Sequence, residues 1–472
     1  MYVFTVVNRR RPWFILEKHI KMKINIPKHA NYIIHQLMEH GYEAYVVGGC
    51  VRDSILGREP EDWDITTSAS PQQVKDLFHR TVDTGIQHGT VTVLVEQDSY
   101  EVTTYRVDGK YEDHRRPDSV TFTQCLEEDL LRRDFTMNAM AYNDEHGLVD
   151  LYHGLDDLKN GIIRCVGVAA QRFDEDALRI LRAYRFAAQL GFTIEEETRH
   201  AAEEQCKYLQ DISAERIRVE LTKLITGAYP EKLLDAQKAG ITAYVLPEFD
   251  AMLWETQQNP HHLYTVGIHT LETVKQIPPE SVLRWTMLLH DVAKARCKTT
   301  DEEGNDHFYQ HANVGEELAG QILQRLKFDN YTIKTVKRLV RWHDYPWQKL
   351  DRQTVRRAMA KVGEDIFSML LQVQRADVMG KSDYQRQERL DKLVEIQRLY
   401  QEILDNKECI SIKDLQINGG QLMELGIPQG PMLGRALNEL LDRVIEEPAL
   451  NEYEQLKKIV LEDLKETALL VT

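Results

Sequence analysis

Cysteine, positive charge and long apolar runs are all scarce in this chain. No apolar run reaches the roughly 18 residues that a membrane-spanning helix needs, so the sequence predicts no membrane partner. The six cysteines are scattered and form no CxxC pair. This pattern argues against a disulfide framework and a zinc knuckle, and it favours free thiols in a reducing cytoplasm.

Lys and Arg number 59 against 75 Asp and Glu, which gives a formal net charge of −16. Binding to nucleic acid phosphates is driven by Lys and Arg, so this balance argues against a protein that coats nucleic acid nonspecifically. It leaves a local basic groove open, because the distribution of charge matters more than its total.

The 472 residues are enough for about three domains, and 42% hydrophobic with 28% charged residues is typical of a globular protein. Residues 1–21 have no signal-peptide apolar region or cleavage site, and a domain-like pattern starts at Met22. We therefore expect residues 1–21 to be an extension of the gene model, with an ordered extra strand as the alternative.

The strongest candidate site is the stretch from Tyr45 to Thr67, YVVGGCVRDSILGREPEDWDITT. Its apolar start predicts a buried strand that ends at Gly48 and Gly49. Glycines let backbone N–H groups approach a phosphate, and Arg52 adds a forked donor.

Asp62 and Asp64 are predicted to project from one face of a following strand, because side chains alternate along a strand. Two carboxylates held close together repel unless a hard cation lies between them. Nucleotidyl transfer by the two-metal mechanism requires divalent metal ions beside a triphosphate-binding site. For either motif alone, the common alternative is a glycine turn followed by a solvated acidic loop.

The joint pattern GGxVRD…DxDxxT resembles the nucleotidyltransferase head of the tRNA CCA-adding enzymes and bacterial poly(A) polymerases, the class II branch of that superfamily. The resemblance implies an α+β fold: a polymerase-β-like head with a mixed sheet, followed by an all-α neck, HD body and tail. The implied domains are residues 22–160 (head), 161–255 (neck), 256–382 (HD body) and 383–472 (tail).

Two further segments of the implied head carry expectations. The alternating stretches 90–95 and 100–105 predict neighbouring strands, and the resemblance makes Glu101 the third carboxylate of the metal site. The alternative is an exposed strand glutamate. Residues 107–123 are polar and turn-rich, as in a surface loop. In the resembling enzymes this segment is a mobile loop needed to add the terminal A.

Residues 131–142, LRRDFTMNAMAY, match the motif RRDFTxNA. Arg133 would neutralise triphosphate charge, and Asp134 and Asn138 would hydrogen-bond the ribose hydroxyls. Such contacts discriminate NTP from dNTP, because an unpaired buried polar group is costly. The alternative is a simple ion pair between Arg133 and Asp134 at a helix start.

Residues 174–190, DEDALRILRAYRFAAQL, predict one continuous helix. Asp176 and Arg179 fall on its apolar side, where charges are costly unless they pair or bind something. A salt bridge between the two is the plain alternative.

The same residues match the family pattern EDxxRxxRAxRF. The resemblance implies that Asp176 and Arg179 act as a protein template for the Watson–Crick edges of C and A, and that Arg182 and Arg185 hold phosphates. Residues 212–217, ISAERI, resemble the neck motif ISxERI, for which we expect a structural role.

A set of histidines and aspartates is too widely spaced for a local zinc motif but can converge in a helical bundle. Their order resembles that of HD-superfamily phosphohydrolases, and the residues are His269, His290, Asp291, His311, His343 and Asp377. His311 and His343 would support a second metal ion beside the first. Such ligands suit Mn, Fe, Co, Ni or Mg. In the resembling enzymes the HD part of the chain is either an active phosphoester hydrolase or a remnant without activity, and both alternatives stay open here.

The resulting hypothesis is template-independent addition of CCA to the 3′ end of tRNA from CTP and ATP in the cytoplasm. Asp62, Asp64 and Glu101 would hold Mg²⁺, and the tail would bind tRNA. An A-adding enzyme or poly(A) polymerase is the nearest alternative. From other classes, an HD metal-dependent phosphohydrolase with a degenerate head and a non-catalytic tRNA-binding protein remain open, as does the oligomeric state.

Overall fold

A computed structural model describes residues 22–109, 119–257 and 264–469, with side chains described as far as residue 464. The expectations for residues 1–21 and for the centre of the 107–123 loop lie outside the described residues. The described chain divides into two compact units, the first with residues 22–109 and 119–172, the second with residues 173–257 and 264–469. No helix in these ranges is long and apolar enough to cross a membrane.

The first unit combines strands with short helices. Its strands are β1 (Ala44–Val47), β2 (Ile65–Thr67), β3 (Thr81–Gly85), β4 (Thr90–Val95), β5 (Asp98–Thr104), β6 (Arg106–Asp108), β7 (Val120–Phe122), β8 (Met140–Asn143), β9 (Gly147–Asp150) and β10 (Ile162–Ile163). Its helices are α1 (Lys28–Glu39), α2 (Gly49–Ile55), α3 (Pro71–Leu77), α4 (Leu126–Leu131) and α5 (Gly154–Asn160).

Seven of these strands form one sheet in the order β3-β4-β5-β2-β1-β8-β9. β2 and β5 run parallel, and the other neighbours whose register is described run antiparallel. The predicted α+β fold with a mixed sheet is therefore confirmed. β4 and β5 are neighbours, as their alternating sequences indicated. All four residues of β1 are buried, because this strand is central in the sheet, and this explains its continuous apolar run.

The second unit is almost entirely helical. Its helices, the first of which begins in the first unit, are α6 (Ala169–Glu175), α7 (Leu178–Leu190), α8 (Glu196–Gln205), α9 (Ala214–Ile225), α10 (Leu233–Lys238), α11 (Thr242–Val245), α12 (Pro247–Leu253), α13 (Val266–Gln276), α14 (Ser281–Leu289), α15 (Lys294–Cys297), α16 (His311–Arg325), α17 (Asn330–Trp342), α18 (Arg352–Val362), α19 (Glu364–Met379), α20 (Arg386–Asp405), α21 (Gly419–Glu424), α22 (Pro431–Glu446) and α23 (Tyr453–Leu469). Its short strands are β11 (Thr193–Ile194), β12 (Thr299–Thr300) and β13 (Asp306–His307).

The prediction of one continuous helix over residues 174–190 is wrong. α6 ends at Glu175 and α7 begins at Leu178. Between them the carboxylate of Asp176 accepts a hydrogen bond from the backbone N–H of Leu178 at 3.1 Å, which satisfies a donor that the new helix leaves open. Asp176 therefore lies in a break between two helices and not on a helical face.

Four helices, α13, α14, α17 and α19, pack against one another in the second unit, and α16 packs against α17. Trp285 on α14 and Phe367 on α19 are fully buried. The bundle thereby fixes the helix ends that carry the predicted histidines.

Gly154, at the start of α5, packs closely against the backbone of Thr136. A Cβ at this position would lie 2.3 Å from the carbonyl oxygen of Thr136. We expect Gly154→Ala to destabilise the protein by about 1–3 kcal/mol, because backbone must move to admit the methyl group. Thermal unfolding followed by circular dichroism measures this loss.

Gly434→Ala is the matched control, because a Cβ there meets nothing within 4 Å on helix α22. Alanine is the better helix former, so this variant should melt at or above the wild-type temperature. Equal melting temperatures for Gly154→Ala and the wild type would contradict the packing argument.

Candidate functional sites

Three acids form a cluster at the end of the parallel strand pair. Asp62 and Asp64 lie in the segment just before β2 and not within it. The parallel register of β2 and β5 places Asp64 level with Glu101. The pKa of Asp64 is raised, first because protein displaces water around it, then because Glu101 and Asp62 add negative charge, while Arg133 opposes the shift. We call these three acids the acid cluster; their mutual repulsion fits a site for a divalent cation.

The glycine bend after β1 makes room for an arginine. Gly48 has a φ of +83°, which favours glycine, and a Cβ there would lie 2.9 Å from Nη1 of Arg133. Gly49 follows as the first residue of α2. Removal from water lowers the pKa of Arg133, and the charges of Asp129 and Asp64 act in the opposite direction. The missing side chain at residue 48 thus lets a guanidinium lie close to the bend.

A chain of hydrogen bonds joins the two predicted phosphate and ribose motifs. Arg52 donates from Nη1 to Oδ1 of Asn138 at 2.7 Å, and Asn138 donates from Nδ2 to Oδ1 of Asp134 at 3.1 Å. Asp53 accepts from Nη2 of Arg52 at 2.7 Å. Asp134 and Asn138 are both buried. The structure brings these predicted residues together, and Asp53 aims the arginine, a role that the sequence reasoning missed.

Asp129 is a second residue that the sequence reasoning missed. It is fully buried, and its carboxylate accepts from Nη2 of Arg132 at 2.7 Å and from the Thr66 hydroxyl at 3.1 Å. Arg133 Nη2 lies 3.7 Å from the same carboxylate. Burial alone would raise the pKa of Asp129, but the charges of Arg132 and Arg133 outweigh it and hold the pKa below its usual value. Asp129 therefore links strand β2, just after Asp64, to the arginine motif.

In the second unit, the predicted base-selecting residues have different partners. Arg216 donates from Nη1 and Nη2 to the two oxygens of Asp176, at 3.2 and 2.7 Å. Arg179 is bonded to Glu175 through Nη1. The alternative considered from the sequence was a salt bridge between Asp176 and Arg179. The structure pairs Asp176 with Arg216 and Arg179 with Glu175 instead.

Arg182 and Arg185 share a buried partner. Glu220 Oε2 lies 3.0 Å from Nε of Arg185, and its Oε1 lies 3.9 Å from Nη1 of Arg182. Arg185 also lies over the Phe186 ring, 3.8 Å from its centroid. The side chain of Arg185 is 8% exposed and that of Arg182 is 32% exposed. A phosphate role therefore stays a prediction for both, and the accessible Arg182 suits it better.

The six predicted histidines and aspartates converge in the second unit, and we call them the His–Asp cluster. His269 Nε2 lies 3.1 Å from Asp377 and 3.3 Å from Nε2 of His290. His311 Nε2 lies 3.3 Å from Nε2 of His343. Within the described ranges, the groups of three or more His, Cys, Asp or Glu residues that could hold a metal ion both come from this cluster. They are His269, His290 and Asp291, and Asp291, His311 and His343, and in each group the potential ligand atoms lie within 4.8 Å of one another.

Asp291 joins the two halves of the His–Asp cluster. Its Oδ2 lies 3.2 Å from Nε2 of His290, and its Oδ1 lies 3.6 Å from Nε2 of both His311 and His343. Each of the four histidines directs Nδ1 to a backbone carbonyl oxygen, at 2.7–3.1 Å. These bonds turn every Nε2 inward, which is the usual second-sphere arrangement around a protein-bound metal.

The charges of the His–Asp cluster also fit a metal site. Burial would raise the pKa of Asp291, but His290 and Lys294 outweigh it and hold the pKa well below the usual value. Asp377 is shifted in the same direction, because Lys381 and His269 outweigh its burial. Both carboxylates are therefore ionised, as metal ligands must be.

A cavity of about 400 Å³ lies against this cluster. Asp291, His311 and His343 line it together with Lys294 and Lys381. Lys294 Nζ lies 2.7 Å from Asp291, and Lys381 is paired with Asp377. Ionised acids, imidazoles and two ammonium groups around an open cavity suit a metal-bound phosphate ester.

Three family profiles match this chain. The "Poly A polymerase head domain" covers residues 44–164, the "Probable RNA and SrmB- binding site of polymerase A" covers residues 191–253, and "tRNA nucleotidyltransferase domain 2 putative" covers residues 298–460. The mixed sheet, the glycine bend and the acid cluster lie within the first match. The fold and the site thus define a nucleotidyltransferase with a head of the poly(A) polymerase class.

Full-length relatives narrow this class to one family. The CCA-adding enzyme of Leuconostoc mesenteroides subsp. mesenteroides is 36% identical over 435 residues, which cover 92% of this chain and 96% of that protein. The CCA-adding enzyme of Limosilactobacillus fermentum is 37% identical over 443 residues, with 92% and 97% covered. This chain belongs to the CCA-adding enzyme family.

Solved structures agree with this assignment. The Bacillus stearothermophilus CCA-adding enzyme in complex with CTP matches with a TM-score of 0.70 and 28% identity, covering 93% of this chain and 98% of that one. The Thermotoga maritima CCA-adding enzyme complexed with tRNA matches with a TM-score of 0.56 at 20% identity, covering 94% and 97%, and supports the fold. Nucleotidyltransferases of this family use a divalent metal ion.

We expect Asp129→Asn to destabilise the protein by about 3 kcal/mol at neutral pH, because it leaves two largely buried arginines without their shared charge. The folded-state pKa of Asp129 is lowered, so its contribution is complete above the unfolded value of about 3.9 and is lost as the pH falls through the lower folded value. Thermal unfolding at several pH values measures both effects.

Asp156→Asn removes an acid of the same unit whose side chain is 66% exposed and paired only at the surface. This control should change stability by less than about 0.5 kcal/mol. The argument fails if Asp129→Asn and Asp156→Asn melt alike at pH 7, or if the loss in Asp129→Asn is as large at the most acidic pH.

Proposed function

We propose that this chain adds C, C and A to the 3′ end of tRNA from CTP and ATP without a nucleic acid template. The observation that carries the proposal is the acid cluster beside the glycine bend, in a chain that matches CCA-adding enzymes over nearly its full length. Two related structures add support, because the Bacillus stearothermophilus enzyme is bound to CTP and the Thermotoga maritima enzyme is bound to tRNA.

Asp62, Asp64 and Glu101 are the proposed metal ligands, with Mg²⁺ as the ion. Mg²⁺ held by these residues would supply positive charge for activation of the attacking 3′-hydroxyl and for neutralisation of the leaving pyrophosphate. The raised pKa of Asp64 supports this role, because a cation would relieve the repulsion that causes part of the shift.

The proposed nucleotide-binding residues of the first unit follow from the same geometry. Gly48, Gly49, Arg52 and Arg133 bind the triphosphate, because the two glycines leave room beside the bend and guanidinium groups lie close to it. A Cβ at Gly48 would lie 2.9 Å from Nη1 of Arg133, and one at Gly49 would lie 3.8 Å from Nη2 of Arg52. Asp134 and Asn138 contact the ribose. Asn138 donates to Asp134 and accepts from Arg52, and these two hydrogen bonds hold the groups in fixed positions.

In the second unit, Asp176 and Arg179 select the base. A carboxylate accepts from the amino group of C or A and repels the carbonyl oxygens of U and G, while a guanidinium donates to ring acceptors. Arg182 and Arg185 are proposed to bind phosphate. The neck (161–255), HD body (256–382) and tail (383–472) remain proposed divisions of the chain, with tRNA bound by neck and tail. The six free cysteines favour a cytoplasmic location.

Labelled nucleotides test the proposal directly. The substrates are tRNA lacking CCA, tRNA ending in the first C and tRNA ending in both, each with labelled CTP or ATP. We expect the wild type to complete all three ends. Asp62→Ala with Asp64→Ala should slow addition at least about a thousandfold, because bound metal contributes several kcal/mol.

Glu61→Gln changes an exposed acid next to the pair and should keep wild-type rates. Incorporation of ATP but not CTP would identify an A-adding enzyme or poly(A) polymerase instead. Undiminished addition by the double alanine variant would remove the acid cluster from the mechanism.

A second candidate function, metal-dependent hydrolysis of phosphate esters, is favoured by the His–Asp cluster. The inward-facing imidazoles, the two ionised aspartates and the lysine-lined cavity are the specific observation. Mn, Fe, Co, Ni and Mg are the candidate metals, because they accept histidine and carboxylate ligands together.

Metal content separates this activity from nucleotide addition. The protein is loaded with Mn²⁺, desalted and analysed by mass spectrometry of the metal, then assayed with p-nitrophenyl phosphate. We expect His290→Ala with Asp291→Ala, made in the Asp62→Ala, Asp64→Ala background so that the acid cluster holds no Mn²⁺, to lose both bound Mn²⁺ and hydrolysis, because Asp291 contacts both halves of the His–Asp cluster. Asp62→Ala with Asp64→Ala is the control and should keep both. Retained Mn²⁺ and hydrolysis in the His290 and Asp291 variant would exclude this site.

A further inference from the structure

Asp176 is held by an arginine from a different helix. Arg216 lies in the first turns of α9, 40 residues further along the chain, and its fork grips both oxygens of the Asp176 carboxylate. The Asp176 side chain is 17% exposed and that of Arg216 is 32% exposed. Two parallel N–H···O bonds set the plane of a carboxylate, whereas a single bond leaves it free to rotate.

The hydrogen bonds to Asp176 leave little acceptor capacity. Oδ1 accepts from the backbone N–H of Leu178 and from Nη1 of Arg216, and Oδ2 accepts from Nη2 of Arg216. A carboxylate has about four lone-pair sites, so the protein fills three and leaves about one, on Oδ2. The break between α6 and α7 is what makes this arrangement possible, because it frees both Asp176 and the N–H of Leu178 from a continuous helix.

A single hydrogen-bond acceptor held in a fixed position can discriminate between bases. The exocyclic amino groups of C and A can donate to it, whereas the carbonyl oxygens at the same positions of U and G cannot. A carboxylate that turns freely offers further acceptor positions, and these can accept the ring N–H that U and G carry on the same edge. Orientation of the carboxylate therefore matters to discrimination as much as its presence does.

We propose that Arg216 is a specificity-determining positioning residue, which aims the Asp176 carboxylate so that it accepts one amino N–H and rejects U and G. This inference rests on the proposed function of Asp176 in base selection. It gives the segment 212–217 a role beyond packing, since Arg216 acts on the base through Asp176 and touches no substrate itself.

The experiment compares Arg216→Met and Arg216→Lys in the full-length protein. Methionine keeps much of the side-chain length without donors, and lysine keeps the charge without the fork. The measurements are kcat and KM for CTP and UTP on tRNA lacking CCA. We expect the ratio of kcat/KM for CTP over UTP to fall about tenfold in Arg216→Met, and to fall in Arg216→Lys as well.

Arg218→Met is the matched control on the same helix. Arg218 is bonded to the carbonyl of Lys327 and lies near the Phe328 ring, so its loss disturbs packing but leaves Asp176 untouched. This variant should keep the wild-type CTP:UTP ratio even where its melting temperature falls. If Arg216→Met does not fold, Arg216→Lys decides the question alone.

Equilibrium dialysis with labelled CTP and UTP separates failure of this inference from failure of the proposed function. A wild type that prefers CTP in binding, with the preference lost in the Arg216 variants and kept in Arg218→Met, supports the inference. Equal falls in kcat/KM for CTP and UTP, with the ratio and the binding preference unchanged, would show a merely structural role and overturn it. A wild type that prefers CTP in neither assay would overturn base selection by Asp176 itself, and the inference with it.

Discussion

The buried carboxylate of Asp129 is the charge on which the geometry of the first unit depends. Two neighbouring arginines, Arg132 and Arg133, repel each other and lose water, and Asp129 is the negative group between them. Its bond to Thr66 extends the same arrangement to β2, the strand that follows Asp64. A single acid therefore holds the cationic and the anionic parts of the candidate site in fixed relation, which is the preorganisation that electrostatic catalysis requires.

The second unit repeats this principle with different residues. Glu220 lies on α9, and its carboxylate stabilises Arg185 on α7. Arg216, on the same helix α9, binds Asp176 in the break between α6 and α7. α9 and α7 pack directly on each other. Packing of these helices therefore determines where the charged side chains of the α6–α7 region point, and loosening of either helix would misplace several of the predicted site residues together.

The sequence predicted the elements whose signal is periodic or composed of several linked residues. The alternation over β4 and β5 and the pairing of the glycine bend with the acids are of this kind. The break at Asp176 was missed, because the residues on both sides favour a helix and the apolar period continues across it. Asp129 was missed for another reason: it follows two other acids, and only tertiary packing makes it buried while they remain at the surface.

The position of Asp291 has a consequence for the His–Asp cluster as a whole. One oxygen faces His290 and the other faces His311 and His343, so the two halves draw on the same negative charge. If the cluster holds two cations as proposed, both would draw on this one carboxylate. The second cation would then be held less tightly than the first.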